Sequence, residues 1–260
     1  MRKFFFLALI CLSVTNIAVA IEDPWKILVD AHQASKTLNY QGIFHLKNFK
    51  EIQSMEITHA MHGQDEYTRM TLMDGEPGEL LSHGKNTFVY HSNENNVVIQ
   101  KRAHHHLFPS VLPSSPENLK KVYTLSFGQV QRVADRMAQM LILIPKDDFR
   151  HQYHFWIDQE TALPLKMIVS NKSNEVIEQA SFIKLKIIGA EKDLSWFKPR
   201  IDLSKEYVMD EKEEVILPGL KFWTFRKVPK GFSEMNATAT RNKEINVLSH
   251  HLIYSDGLSY

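Results

Sequence analysis

The chain has 260 residues, with 31 Lys and Arg against 30 Asp and Glu, 43% hydrophobic and 23% charged residues, and one cysteine. This is an ordinary globular composition, long enough for one large or two medium domains. Its near-neutral balance removes the global electrostatic case for a nucleic-acid partner, which normally shows as a basic stripe.

The first twenty residues read as an export signal. Arg2 and Lys3 precede the apolar run Phe4 to Ile10, and Ala18-Val19-Ala20 places small residues where a signal peptidase cuts. A cleavable signal peptide is therefore expected over 1–20, with the mature chain starting at Ile21 outside the cytoplasm. Cys11 would leave with it, so the mature protein is expected to have neither disulfides nor a thiol nucleophile. Ile10 is too bulky for Cys11 to be a lipidation site. No later apolar run approaches twenty residues, and a soluble mature protein is expected.

A helix comes next. Asp23 suits an N-cap and Pro24 the first helical position, and Trp25, Leu28, Val29 and His32 follow helical spacing towards Leu38. From Tyr40 the period becomes two. Gly42, Phe44 and Leu46 alternate with more polar neighbours, as do Met55, Ile57, His59 and Met61. Turn residues at 62–65, 74–78 and 92–96 separate further strands, including the hairpin arms Phe88-Val89-Tyr90 and Val97-Val98-Ile99. This order predicts an antiparallel meander rather than βαβ units.

The middle, Phe108 to Pro116, is irregular, and Ser115-Pro116 can open a short helix to Lys121. Strands resume at Tyr123–Phe127, Met140–Ile144, Tyr153–Ile157, Leu165–Val169 and Val176–Ile188. Periodicity then fails. Residues 21–190 are assigned to one large unit and 191–214 to a linker containing the charge run Asp210 to Glu214. Residues 215–260 form a small unit with a strand from Val247 to Tyr254.

Candidate chemistry is sparse. His104-His105-His106 and His250-His251 lack partners at ligand spacing and read as solvated residues, so no metal is expected. No G-x-S-x-G elbow, Walker A loop or dinucleotide glycine pattern occurs, and no cofactor or catalytic residue is assigned. The apolar alternation is more informative. A long antiparallel sheet with few helices must hide one face, by curling around a helix or enclosing an apolar ligand. Phe44, Leu46, Met55, Ile57, Met61, Met70, Leu72 and Phe88 are the residues expected to face inward and line such a cavity.

Several stretches resemble one family when taken in order. They are Leu38-Asn39-Tyr40-Gln41-Gly42-Ile43-Phe44, Ile57-Thr58-His59, Asp74-Gly75-Glu76-Pro77, Phe108-Pro109 with Leu112-Pro113, and Phe155-Trp156-Ile157-Asp158 with Leu163-Pro164-Leu165. Later come Leu217-Pro218-Gly219, Val228-Pro229-Lys230-Gly231-Phe232 and His251 to Leu258. Together they resemble the RseB/MucB family of periplasmic sigma-E regulatory proteins. The resemblance implies a non-enzymatic protein, mainly β (α+β), whose large curved antiparallel half-barrel is like that of the lipoprotein carriers LolA and LolB. A small C-terminal α+β domain packs beside it.

The implied partner is the periplasmic part of a membrane-spanning anti-sigma factor (RseA/MucA-like), shielded from site-1 proteolysis. Lipopolysaccharide or lipoprotein acyl chains are the implied releasing ligands. Trp223, Phe225, Phe232, Tyr254 and Asp256 are the expected partner contacts in the small domain. Family members carry further strands beyond the point matching Leu258, so the small domain is expected to be incomplete at Tyr260, with an unpaired edge. A periplasmic lipid or lipoprotein carrier is the alternative, since the same half-barrel would serve both.

Overall fold

A computed structural model describes residues 23–48, 51–84, 86–92, 97–102, 107–190, 193–200, 207–209, 214–215, 225–242 and 247–258. Helix α1, Pro24–Thr37, starts where the local chemistry dictates. Asp23 lies in extended backbone and its carboxylate accepts the Trp25 N–H at 3.0 Å, while Pro24 needs no N–H partner in the first turn. Leu28, Ala31 and Ala34 form its buried stripe.

The chain then runs through β1 (Tyr40–Lys47), β2 (Ile52–His62), β3 (Asp65–Leu72), β4 (Gly78–His83), β5 (Asn86–Ser92) and β6 (Val97–Arg102). Short helix α2 (Glu117–Val122) leads into β7 (Tyr123–Val133), β8 (Arg136–Pro145), β9 (Gln152–Asp158), β10 (Pro164–Ser170) and β11 (Val176–Ile187). Consecutive strands pair antiparallel within β1–β6 and within β7–β11, and β1 pairs with β11, so two meanders join into one sheet. Strand β12 (Tyr207–Met209) adds to β6 in parallel, making the order β12-β6-β5-β4-β3-β2-β1-β11-β10-β9-β8-β7. A second sheet holds β13 (Glu214–Val215), β14 (Ser233–Asn242) and β15 (Val247–Ser255).

The large sheet is curved. At one end β7 comes within reach of both α1 and β11, with three strands between β7 and β11 in the sheet order. The inner face carries Tyr40, Phe44, Ile57, Met70, Leu141, Leu143, Phe155 and Phe182, all buried, and α1 and the 107–116 loop cover it. Full burial of each such side chain contributes about 1.5–3 kcal/mol before entropy is counted. Gly42 is required at its place, because a Cβ there would stand 2.7 Å from the Phe182 ring and from the Lys184 carbonyl. Across β11 a bulge follows between Ile43 and Phe44.

Two further features hold the outside together. Residues 193–200 form a strap on the outer face of β2–β4. Trp196 meets the Arg69 guanidinium, and the Phe197 ring packs edge-on against Tyr67 at 5.0 Å. Arg200 donates to Glu79 from its backbone N–H (2.8 Å) and to Glu56 from its guanidinium (3.0 Å).

The small sheet is keyed into the half-barrel by Arg150. This buried guanidinium donates to Asp256 Oδ2 at 2.5 Å, to Asp147 and to the Lys230 carbonyl, and lies 4.6 Å over the Phe232 ring. Tyr153 donates its hydroxyl to the Leu258 carbonyl at 3.0 Å, and Leu258 joins the core of the large sheet.

Candidate binding cavity

A cavity of about 240 Å³ opens on the inner face of β1–β5. Tyr40, Ile57, Met70, Leu80 and Val89 supply its sheet side, and Leu107, Pro109 and Ser110 of the irregular loop close it opposite. The register explains the lining. Ile57 stands across from Met70, Met70 from Leu80 and Leu80 from Val89, so one row of side chains crosses four strands on one face. Thr68, Ser82 and Thr87 form the next row, with the Ser82 and Thr87 hydroxyls 3.0 Å apart.

One end is charged. Lys36 of α1 donates to both carboxylate oxygens of Glu66, at 3.1 and 3.3 Å. The buried His59 stacks on Tyr40, with ring centroids 4.8 Å apart. Its Nδ1 lies 2.7 Å from the Leu38 carbonyl and its Nε2 3.2 Å from Glu66. Burial opposes ionisation of Glu66, but the His59 hydrogen bond and the Lys36 ammonium outweigh it and hold the carboxyl below its ordinary range. Burial, and then the Glu66 charge, push the Tyr40 phenol up.

The cavity therefore has apolar walls for an aliphatic chain and one ionic end. Because the folded value of Glu66 is depressed, its contribution to stability is present above the unfolded carboxylate value and lost as pH falls through the folded one. Denaturant unfolding of Glu66→Gln between pH 6 and pH 3 should show a smaller loss of stability than wild type. Parallel curves would contradict this coupling.

Of the residues expected to line a cavity, Ile57 and Met70 do so. Phe44 lies in the core between Phe108 and Phe182, at 5.3 and 5.7 Å. Leu46 and Met55 are half-buried against that core. Leu72, opposite Met55, and Met61, opposite Glu66, are half-buried at the two ends of the same inner face. Phe88 is corrected. It pairs with Leu81, which pairs with Arg69, and this row faces outward, so its neighbour Val89 takes the lining position. Tyr40, Leu80 and the loop residues were not among the expected set.

In the small sheet Phe225 is exposed and meets Tyr254 edge-on at 5.3 Å, and the Tyr254 hydroxyl donates to Glu234 at 3.2 Å. Phe232 and Asp256 are engaged by Arg150 inside the protein. Trp223, His104-His105-His106, Leu217-Pro218-Gly219 and the signal segment 1–20 lie outside the described residues. His250 and His251 fall on β15, opposite Ala239 and Thr238. Among the described residues no cluster of three His, Cys, Asp or Glu is placed to hold a metal ion. No helix among them is long and apolar enough to cross a membrane.

The chain is thus a curved antiparallel half-barrel with a small apolar cavity and a second sheet keyed into one end. Residues 23–201 match the MucB/RseB N-terminal domain family, and the chain belongs to that family. The sigma-E factor regulatory protein RseB of Haemophilus influenzae is 26% identical over 262 residues, spanning 98% of this chain and 80% of that protein. The protein of the same name from Escherichia coli K12 is 24% identical over 235 residues, spanning 89% and 72%. Among solved structures, the Pseudomonas aeruginosa MucA/MucB complex contains a chain that superposes with a TM-score of 0.71 at 22% identity. The match covers 91% of this chain and 77% of that one. A crystal structure of MucB superposes at 0.67 with 21% identity, covering 91% and 77%.

Proposed function

We propose that this protein is a periplasmic negative regulator of an envelope-stress sigma factor. It would bind the periplasmic part of a membrane-spanning anti-sigma factor and shield it from site-1 proteolysis. The observation that carries this reading is the match to MucB across 91% of the chain, since MucB has been crystallised in complex with MucA(peri). Relatives spanning nearly the whole chain are named sigma-E factor regulatory proteins.

The reading divides the chain into a signal peptide at 1–20, a half-barrel at 21–190, a connecting stretch at 191–214 and a small unit at 215–260. Exposed Phe225 and half-buried Tyr254 are its aromatic contacts for the partner. Control would be thermodynamic. Binding favours the uncleaved state of the anti-sigma factor, and an apolar ligand such as a lipopolysaccharide or lipoprotein acyl chain releases it only if the free regulator binds that ligand more tightly than the complex does.

Purified protein should protect the cognate anti-sigma periplasmic domain from the site-1 protease in a saturable way. Unchanged cleavage at saturating protein would overturn the proposal. The apolar cavity supports a second reading as a lipid or lipoprotein carrier. Stoichiometric copurified lipid, with no binding of the anti-sigma domain, would favour that alternative.

A further inference from the structure

The two halves of the outer sheet face differ in charge and in cover. Over β2–β4 the outward row includes Glu56 and Glu79, and the strap 193–200 lies on it with two aromatic rings and a cation. Over β1 and β8–β11 the outward positions follow from the pairing of Met140 and Ile142 with Trp156 and His154, and of these with Lys166 and Ile168. Lys166 pairs onward with Ser181, Ser181 with His45, Gln179 with Lys47, Lys184 with Ile43 and Lys186 with Gln41.

This half is basic and apolar. Lys47, Lys184 and Lys186 are exposed, and the Lys166 ammonium lies 4.5 Å over the Trp156 ring. None of the four forms a salt bridge among the described residues. Ile144 and Ile183 are 48% and 51% exposed, with Ile142 and Ile168 half-exposed between the cations. The acids of these strands stand elsewhere: Glu178 holds an inward register opposite Val169, and Asp158 is buried at the end of β9, bound by Arg136 and Thr161. At the rim, Asp74 faces His45.

We propose that this outer face of β1 and β8–β11 is a docking surface for an acidic, aromatic-bearing polypeptide segment of another protein. The strap shows how such a segment lies on this sheet: its rings fill the spaces between strands while its cation meets the outward carboxylates. Among the described residues the other half presents the opposite charge, so its occupant carries aromatics with Asp or Glu in place of Arg. A lipid surface fits less well. The face is the convex side of the curve, so a plane meets only a ridge of it, and its exposed apolar groups are short β-branched side chains rather than projecting aromatics. This surface is separate from the cavity and does not rest on the anti-sigma reading.

The test uses ¹⁵N-labelled protein and two peptides: residues 193–200 as they stand (Asp-Leu-Ser-Trp-Phe-Lys-Pro-Arg) and the same peptide with Lys198→Glu and Arg200→Glu. The acidic peptide should give saturable amide shifts at Ile142, His154, Ile168 and Lys184, and bind at least about tenfold more tightly than the parent. K184E with K186E should weaken it by about tenfold or more at unchanged circular dichroism, and salt should weaken it further. The peptide pair on unaltered protein reads the charge preference without any substitution. Equal affinity for both peptides, shifts confined to other surfaces, or no saturable shift would overturn the proposal. So would capture by phosphatidylglycerol vesicles through the same lysines without peptide binding.

Discussion

Arg150→Met should undock the small sheet and cost about 3–5 kcal/mol, as breaking a buried ion pair from one side does. The guanidinium and the Asp256 carboxylate are both fully buried, 2.5 Å apart. Methionine fills much of the arginine volume but leaves the Asp256 carboxylate, which accepts the Leu258 N–H at 2.9 Å, inside the protein without the guanidinium. The Lys230 carbonyl and the Phe232 ring lose the same partner.

Denaturant unfolding followed by circular dichroism should show the loss, and limited proteolysis should cut first in β14 and β15. Arg150→Lys keeps the charge without the planar fork and should fall between wild type and methionine. Adding Asp256→Leu to Arg150→Met should restore part of the stability, because a buried pair replaced on both sides leaves no lone charge. A melting temperature for Arg150→Met within about 2 °C of wild type would remove Arg150 from this role.

Phe182→Ala should cost a further ~3–5 kcal/mol on its own, the range for removing a buried phenylalanine. Its ring sits among Tyr40, Phe44 and Phe108, at 6.5, 5.7 and 5.3 Å. Those contacts join the sheet to the irregular loop, and the loop supplies Leu107, Pro109 and Ser110 to the cavity. Besides destabilising the core, the substitution should loosen that wall and raise the dissociation constant of an apolar probe such as anilinonaphthalene sulfonate by roughly fivefold or more.

Leu163→Ala removes a similarly buried side chain that lines no part of the cavity. It should lower stability and leave probe affinity unchanged. Equal probe affinity in Phe182→Ala and wild type would mean that the loop holds its place without this ring.

Much of the large sheet was legible because its signals are local. Asp23 and Pro24 start α1 wherever the rest of the chain lies, and the period-two alternation around Phe44, Ile57 and Phe155 states that those segments are half-buried strands. The family resemblance carried by the ordered short matches agreed with the family the chain belongs to. Ile57 and Met70 line the cavity as their alternation predicts. Phe88 was expected there too and is not, because alternation says that two adjacent residues face opposite ways and leaves open which of them faces in. The register of β4 against β3 and β5 makes that choice, and it favours the smaller Val89.

The composition of 193–200 showed only a charged, aperiodic stretch, and its role as a strap depends on Glu56, Glu79 and Arg69 lying more than a hundred residues earlier. The same holds for Arg150 and Asp256, 106 residues apart and unremarkable separately. By itself the amino-acid sequence determined where helix and strands form, because caps and apolar periods act within a few residues. Tertiary structure alone decided which face turned inward, what closed the cavity and which charges were buried together. Those outcomes depend on strand register and on contacts between distant segments, whose energies exist only once the sheet has curled.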